Sequence, residues 1–274
     1  MTNAITSLHT FCEETDSARR QQAGITAAKQ IVAENRLIIV LGAEKRIMDK
    51  ADKSLAFPPS LDILEFENVC QVPQGVKPES WADTLTALFS DIYGLLEKGE
   101  CMFKEALLES YKEAGVFDNP ENSKAVTMLD LYSYLKSQSG EAYARLADRL
   151  VKYNVFGYRP RNEAINSGEM CDNEVNTLVY VKGNVDKETK AFLYGSLIAA
   201  IFAQRMCDKT PNPLEINIII NDAEEVIVDD ELYKMIFNLS AAHKLKICCL
   251  TGDKRRLPQF VRVNAEEIII GNPT

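Results

Sequence analysis

The residues best placed to do chemistry lie in Leu214 to Glu225, LEINIIINDAEE. Ile216 to Ile220 is apolar except at Asn217, and Asn221 and Asp222 follow at once. A short β-branched run of this kind predicts a central strand buried on both faces. Polar groups at the carboxyl end of such a strand stand where α/β sheets take their ligands. A carboxylate there can hold magnesium or serve as a base toward water. Asn221 is neutral and so a weaker magnesium ligand, which leaves Asp222 as the candidate base. Glu224 and Glu225 read as an acidic first turn favoured by the helix dipole.

Phosphate chemistry needs a second element, a turn between the first strand and its helix where backbone N–H groups and a lysine meet the phosphates. Here that turn reads Thr15-Asp16-Ser17-Ala18-Arg19-Arg20, and no Gly-Lys-Ser/Thr occurs in the chain. Thr15, Ser17, Arg19 and Arg20 are the candidate nucleotide-contacting positions. Asp16 puts negative charge where a triphosphate would sit. Arg19 can neutralise a phosphate, but as a broad planar fork rather than a point charge. Arg20 has no hydroxyl for magnesium. The six residues therefore favour a polar surface turn over a nucleotide loop. Thr251, ending a neighbouring apolar run, stands where a phosphate-sensing polar residue would be, but reads more simply as a plain strand end.

Other chemistries find little support. The seven cysteines include no C-x-x-C pair, and with only His9 and His243 as imidazoles the spacings do not suggest a zinc site. Most of the cysteines fall in apolar runs and read as buried reduced thiols. Cys248 and Cys249, adjacent in a strand, should point to opposite faces. His9 belongs to the first strand, and His243 to a helix's last turn, where it suits the dipole. A net charge of -9 argues against broad nucleic-acid binding. No apolar run approaches the ~20 residues of a membrane span, and the amino terminus lacks a signal pattern, so a cytoplasmic domain is expected. Lys244, Lys246, Lys254, Arg255, Arg256 and Arg262 make the carboxyl-terminal end locally basic, either a solvated edge or an interface for an acidic partner or neighbouring subunit.

The elements that must position these residues follow in order. TSLHTFC reads as a first strand, a polar turn follows, ITAAKQIVAEN reads as a helix, and Leu37 to Leu41 as the next strand. This is a βαβ unit, which implies a parallel sheet. LDILEFENV, flanked by Pro58-Pro59 and Pro73, is confined to a short or edge strand. From Pro78 to about Tyr158 come four helical patterns, one of which opens on the cap signature Thr127 to Asp130. Trp81 opens this block and is expected to pack between it and the sheet. Leu178 to Val181 resumes the sheet. A long helix from Lys187 to Met206 leads to the Ile216 strand, then come a helix from Asp230 to His243, the strand Leu245 to Thr251 and a closing strand in EEIIIG.

This order of parts resembles the motor core of the HerA/FtsK superfamily, hexameric P-loop ATPases that include conjugation and type IV secretion motors. TDSARR stands where the family has its TGSGK[ST] loop, and LDILEFENV precedes what looks like the family's all-α insertion. IIINDAEEV stands where IIIDEAH or similar is expected, with Asn221 at the Walker B Asp and Asp222 at the Glu. LKICCLTGDKRRLP is similar to the strand that ends in Thr-Gln, with Gly252 replacing the Gln. The resemblance implies an α/β fold: a RecA-like, mainly parallel sheet flanked by helices, split as 1–77 and 159–274 around a helical insertion at 78–158.

Loss of the loop, magnesium and sensor residues together points to a domain that keeps the fold without hydrolysis. The expected role is an assembly or protein-recognition module of a secretion or translocation motor, with no cofactor. Its partners would be other domains or subunits, a ring homo-oligomer included, rather than nucleic acid. The alternative is an active or nucleotide-gated ATPase using ATP and magnesium, with Arg19 on phosphate and Asp222 on water. A third reading is a protein-binding α/β domain unrelated to motors.

Overall fold

The computed structural model describes residues 9–33, 37–41, 61–65, 68–118, 123–152, 176–180, 186–211, 213–228 and 231–268. The chain forms two compact units, Met1–Glu65 with Met170–Lys182 and Lys209–Thr274, and Phe66–Glu169 with Gly183–Asp208.

The first unit is built on seven strands: β1 (His9–Glu13), β2 (Leu37–Leu41), β3 (Leu61–Glu65), β4 (Asn176–Tyr180), β5 (Ile216–Ile220), β6 (Leu245–Thr251) and β7 (Ala265–Glu267). They lie in the order β3-β4-β2-β5-β6-β1-β7. Every pairing is parallel. β5 is the middle strand and buried at all five positions, as its unbroken apolar run predicts. Asn217, its polar exception, is buried and donates from Nδ2 to Glu215 Oε1 at 3.2 Å. β3 takes one edge, in keeping with its flanking prolines. β7 takes the other; it starts at Ala265, just before the run EEIIIG expected to close the sheet, and shares Glu266 and Glu267 with it, while residues 269–271 of that run lie outside the described residues. So do Pro58-Pro59. β1 and β2 are parallel but not neighbours, because β6 and β5 lie between them.

Helix α1 (Ser17–Ala33) packs on this sheet with Gly24 facing Leu250. A Cβ at position 24 would meet Leu250 Cδ1 at 2.8 Å, so the helix rides close because that residue has no side chain. His9, the first residue of β1, is buried. Its Nδ1 accepts the Ile247 N–H at 3.1 Å. The ring proton therefore sits on Nε2, 2.7 Å from Ser240 Oγ and 3.3 Å from Phe237 O.

The second unit is helical: α2 (Pro78–Tyr93), α3 (Glu97–Glu113), α4 (Met128–Ser137), α5 (Glu141–Lys152) and α6 (Lys187–Cys207). α2 begins on Pro78 and ends on Gly94 at φ 64, the left-handed cap that glycine adopts without strain. α4 opens on the capping box that its sequence signals, Asp130 Oδ2 accepting the Thr127 N–H at 2.8 Å. α6 is buried around most of its circumference, as a helix apolar on all sides must be. Its Asp186 cap accepts the Thr189 N–H at 2.7 Å. Phe89 is the centre of this core, stacked on Phe103 at 4.4 Å and edge-on to Phe192 at 5.2 Å. Trp81 is buried, with Nε1 donating to Val69 O at 3.3 Å.

In the first unit, short α7 (Ala223–Val226) follows β5, and α8 (Glu231–Leu239) runs on into a tighter turn, Ser240–His243. A tight turn at Lys254–Arg256 and α9 (Gln259–Asn264) separate β6 from β7.

Candidate functional site at the carboxyl ends of the central strands

The polar turn expected over Thr15–Arg20 is shorter than the sequence suggests: α1 starts at Ser17, so Ser17, Arg19 and Arg20 lie in its first turn. The cause is Asp16. Its Oδ1 accepts the Arg19 N–H at 2.9 Å while its carbonyl accepts the Arg20 N–H at 2.9 Å, the geometry of an N-cap. Asp16 thus occupies with its own carboxylate one of the helix-terminal amides that an anion would use.

Within this turn the side chains diverge. Thr15, Ser17 and Arg19 are exposed, whereas Arg20 is buried, with 8% of its surface exposed. Arg20 reaches to the end of β5. Its Nε donates to Asp222 Oδ1 at 3.0 Å and its Nη2 to the same oxygen at 2.6 Å, while Nη1 donates to Glu14 O at 2.6 Å. The guanidinium is therefore spent on Asp222 and on the backbone before the turn.

Asp222 is held for this contact by its backbone, at φ 52 in the left-handed region, which aspartate tolerates better than most residues. Asn221 is buried, donating from Nδ2 to Asp222 Oδ2 at 3.3 Å, and its Oδ1 has no partner among the described residues. Thr251 is fully buried at the end of β6, opposite Glu13 of β1. Its hydroxyl accepts the Asp253 N–H at 3.2 Å, a local turn contact.

Gly252, where the resemblance expects Gln, and Glu224, outside the motif positions, complete the site. A Cβ at Gly252 would lie 3.1 Å from Arg20 Nη1 and 3.3 Å from Glu224 Oε1. A side chain here would press on the guanidinium, so Gly252 and Arg20 suit each other. Glu224 is not a solvated first-turn acid: its side chain is 5% exposed and Oε1 accepts the Gly252 N–H at 3.1 Å. Arg256 Nη1 stands 4.0 Å away. The signal for Glu224 in the sequence was only its position two residues beyond Asp222.

The structure thus brings Arg20, Asn221, Asp222 and Gly252 together, with Thr251 at the adjoining strand end, and leaves Thr15, Ser17 and Arg19 at the surface. Among the described residues, no group of three or more His, Cys, Asp or Glu is placed to hold a metal ion. No helix among them is long and apolar enough to cross a membrane.

No protein family's sequence profile matches the chain, and no curated protein sequence does. Solved structures do. The chain is similar to VirB4 of Thermoanaerobacter pseudethanolicus, with a TM-score of 0.69 and 14% identity over 96% of this chain and 77% of that one. It is similar to the bacterial conjugative coupling protein TrwB in its trigonal form with sulphate, with a TM-score of 0.61 and 10% identity over 94% and 68% of the two chains. It is also similar to the plasmid coupling protein TrwB in complex with ADP and Mg2+, with a TM-score of 0.59 and 9% identity over 93% and 68%. The fold is therefore one shared with VirB4 and TrwB, a parallel sheet flanked by helices as the sequence resemblance implies.

Proposed function

We propose that this chain is a non-hydrolysing ATPase-like domain that serves as an assembly or protein-recognition module of a secretion or translocation motor. The observation that carries the reading is the Arg20–Asp222 ion pair, at 2.6 Å. A hydrolytic site needs a cation free for phosphate and a carboxylate free for water. Here each is engaged by the other. The Asp16 cap supports the same reading, since it sets a negative charge on the helix terminus that would cradle phosphate. A fold kept while its chemical groups are turned inward is useful as a shape. The helical insertion, 78–158, and other subunits of the motor are the proposed places of contact.

A second reading, a nucleotide-gated ATPase, draws on one observation: TrwB, of the same fold, has been solved with ADP and Mg2+. Arg19, exposed beside the turn, would then contact phosphate, and Asp222 would leave Arg20 to order water.

Calorimetric titration with ATP and with ADP, each with and without magnesium, separates the two. The non-hydrolysing scaffold gives no binding heat and no phosphate release. Magnesium-dependent binding that is lost in Arg19→Ala would overturn it in favour of the gated enzyme.

A further inference from the structure

We infer that the helical unit carries a docking groove for an acidic, leucine-bearing amphipathic segment of a partner protein. The groove, about 570 Å3, runs between the start of α3 and the start of α5. Leu95, Met102 and Leu146 form an apolar, buried part of its lining, and Met102 can adapt its shape to what it meets. Lys98, Arg145 and Arg149 are exposed around it. Its one acidic lining residue, Glu141, is already paired with Arg145. Among the described residues neither Lys98 nor Arg149 has an ion-pair partner. On a chain of net charge -9, an apolar floor bordered by unpaired cations is complementary to carboxylates flanking an apolar ridge. A helix laid in a groove through its apolar face presents that pattern.

Leu96 singles the groove out. It is the N-cap of α3, a position that favours Ser, Thr, Asp or Asn, and it makes no side-chain cap bond. It is also 82% exposed. Leucine there serves neither the helix nor the core, which leaves its side chain available to a partner. Leu96 supplies an apolar anchor at the open side of the groove, next to Lys98.

The test uses the full chain and a fluorescein-labelled helical peptide with leucines at i, i+3, i+4 and i+7 and glutamates on the flanks, read by anisotropy. The peptide is expected to bind, and to bind more weakly as salt rises from 50 to 200 mM. Leu96→Ser should lower affinity at least tenfold while raising the melting temperature, because serine caps the helix that leucine cannot. Lys98→Glu with Arg149→Glu should abolish binding, and nucleotide titrations should not change in either variant. Absence of binding would overturn the groove, as would equal binding of an isomer carrying lysine in place of glutamate, or unchanged affinity in Leu96→Ser. Displacement of the peptide by a single-stranded oligonucleotide at equal potency would assign the groove to nucleic acid instead.

Discussion

Arg20 Nη2 lies 2.6 Å from Asp222 Oδ1, although the two residues are 202 positions apart in the chain. The pair joins the first turn of α1 to the end of the central strand. Arg20 has a side chain 10% exposed and Asp222 one 26% exposed, so losing one partner strands a largely desolvated charge. Asp222→Asn, which keeps a residue type tolerant of positive φ, is expected to cost about 2 kcal/mol in urea denaturation. Adding Arg20→Met should recover most of that loss. A double variant no more stable than Asp222→Asn would show that Arg20 contributes through packing rather than through the pair.

His9 gives a pH-dependence whose sign follows from its pKa. Burial, the largest cause, holds the imidazole down at about 4, from an ordinary 6.5. The folded state therefore binds the proton more weakly than the unfolded chain does. Above pH 6.5 both are neutral and His9 contributes no slope. As pH falls from 6.5 towards 4 the unfolded chain takes up the proton and stability drops, by about 3 kcal/mol once both pKa values are passed. An NMR titration of the His9 ring midway near 6.5 would refute this, and so would urea midpoints that do not fall over that window.

Gly24 tests how closely α1 rides on the sheet. Alanine is the better helix former by about 1 kcal/mol, yet its Cβ would stand 2.8 Å from Leu250 Cδ1, and Leu250 is itself buried. Displacement of a packed side chain should win, so Gly24→Ala is expected to be destabilising by about 1 to 2 kcal/mol. Pairing it with Leu250→Val should restore part of the loss; a Gly24→Ala variant more stable than the wild type would mean that Leu250 moves aside freely.

Phe89 tests the helical core. Its ring meets Phe103 on α3 and Phe192 on α6, so truncation opens a cavity shared by three helices. Phe89→Ala is expected to cost about 3 to 5 kcal/mol, read by thermal melting of the helical signal. A loss under about 1 kcal/mol would show that these rings are not the centre of the packing.

Thiol labelling reports the two environments of cysteine. Cys101 and Cys207 are exposed, whereas Cys12, Cys70, Cys248 and Cys249 are buried. Burial also pushes the Cys70, Cys248 and Cys249 thiols up, away from the reactive thiolate. In a Cys171→Ser background, Cys101 and Cys207 should react at once with an aromatic disulfide reagent, and the four buried thiols only on denaturation. Mass spectrometry of the labelled peptides checks the assignment.

The sequence by itself determined the local elements and their order. INIII reads as an interior strand, because a short β-branched run broken only at Asn217 calls for cover on both faces, and it is the middle strand of seven. Thr127 and Asp130 announced the start of α4 because a capping box is a contact over three residues. Thr15–Arg20 was harder: the turn ends at Ser17 because one carboxylate, Asp16, bonds the Arg19 N–H, and composition alone does not distinguish a polar turn from a polar first helical turn. What only the tertiary structure decided is where Arg20 goes, why Gly252 has no side chain, and that Glu224 is buried. Those contacts depend on β6 lying between β1 and β5, which sets the start of α1 beside the end of the central strand. Periodicity encodes which face of an element is buried, but not which distant element will meet it, so the ion pair that closes the site was invisible in either stretch read alone.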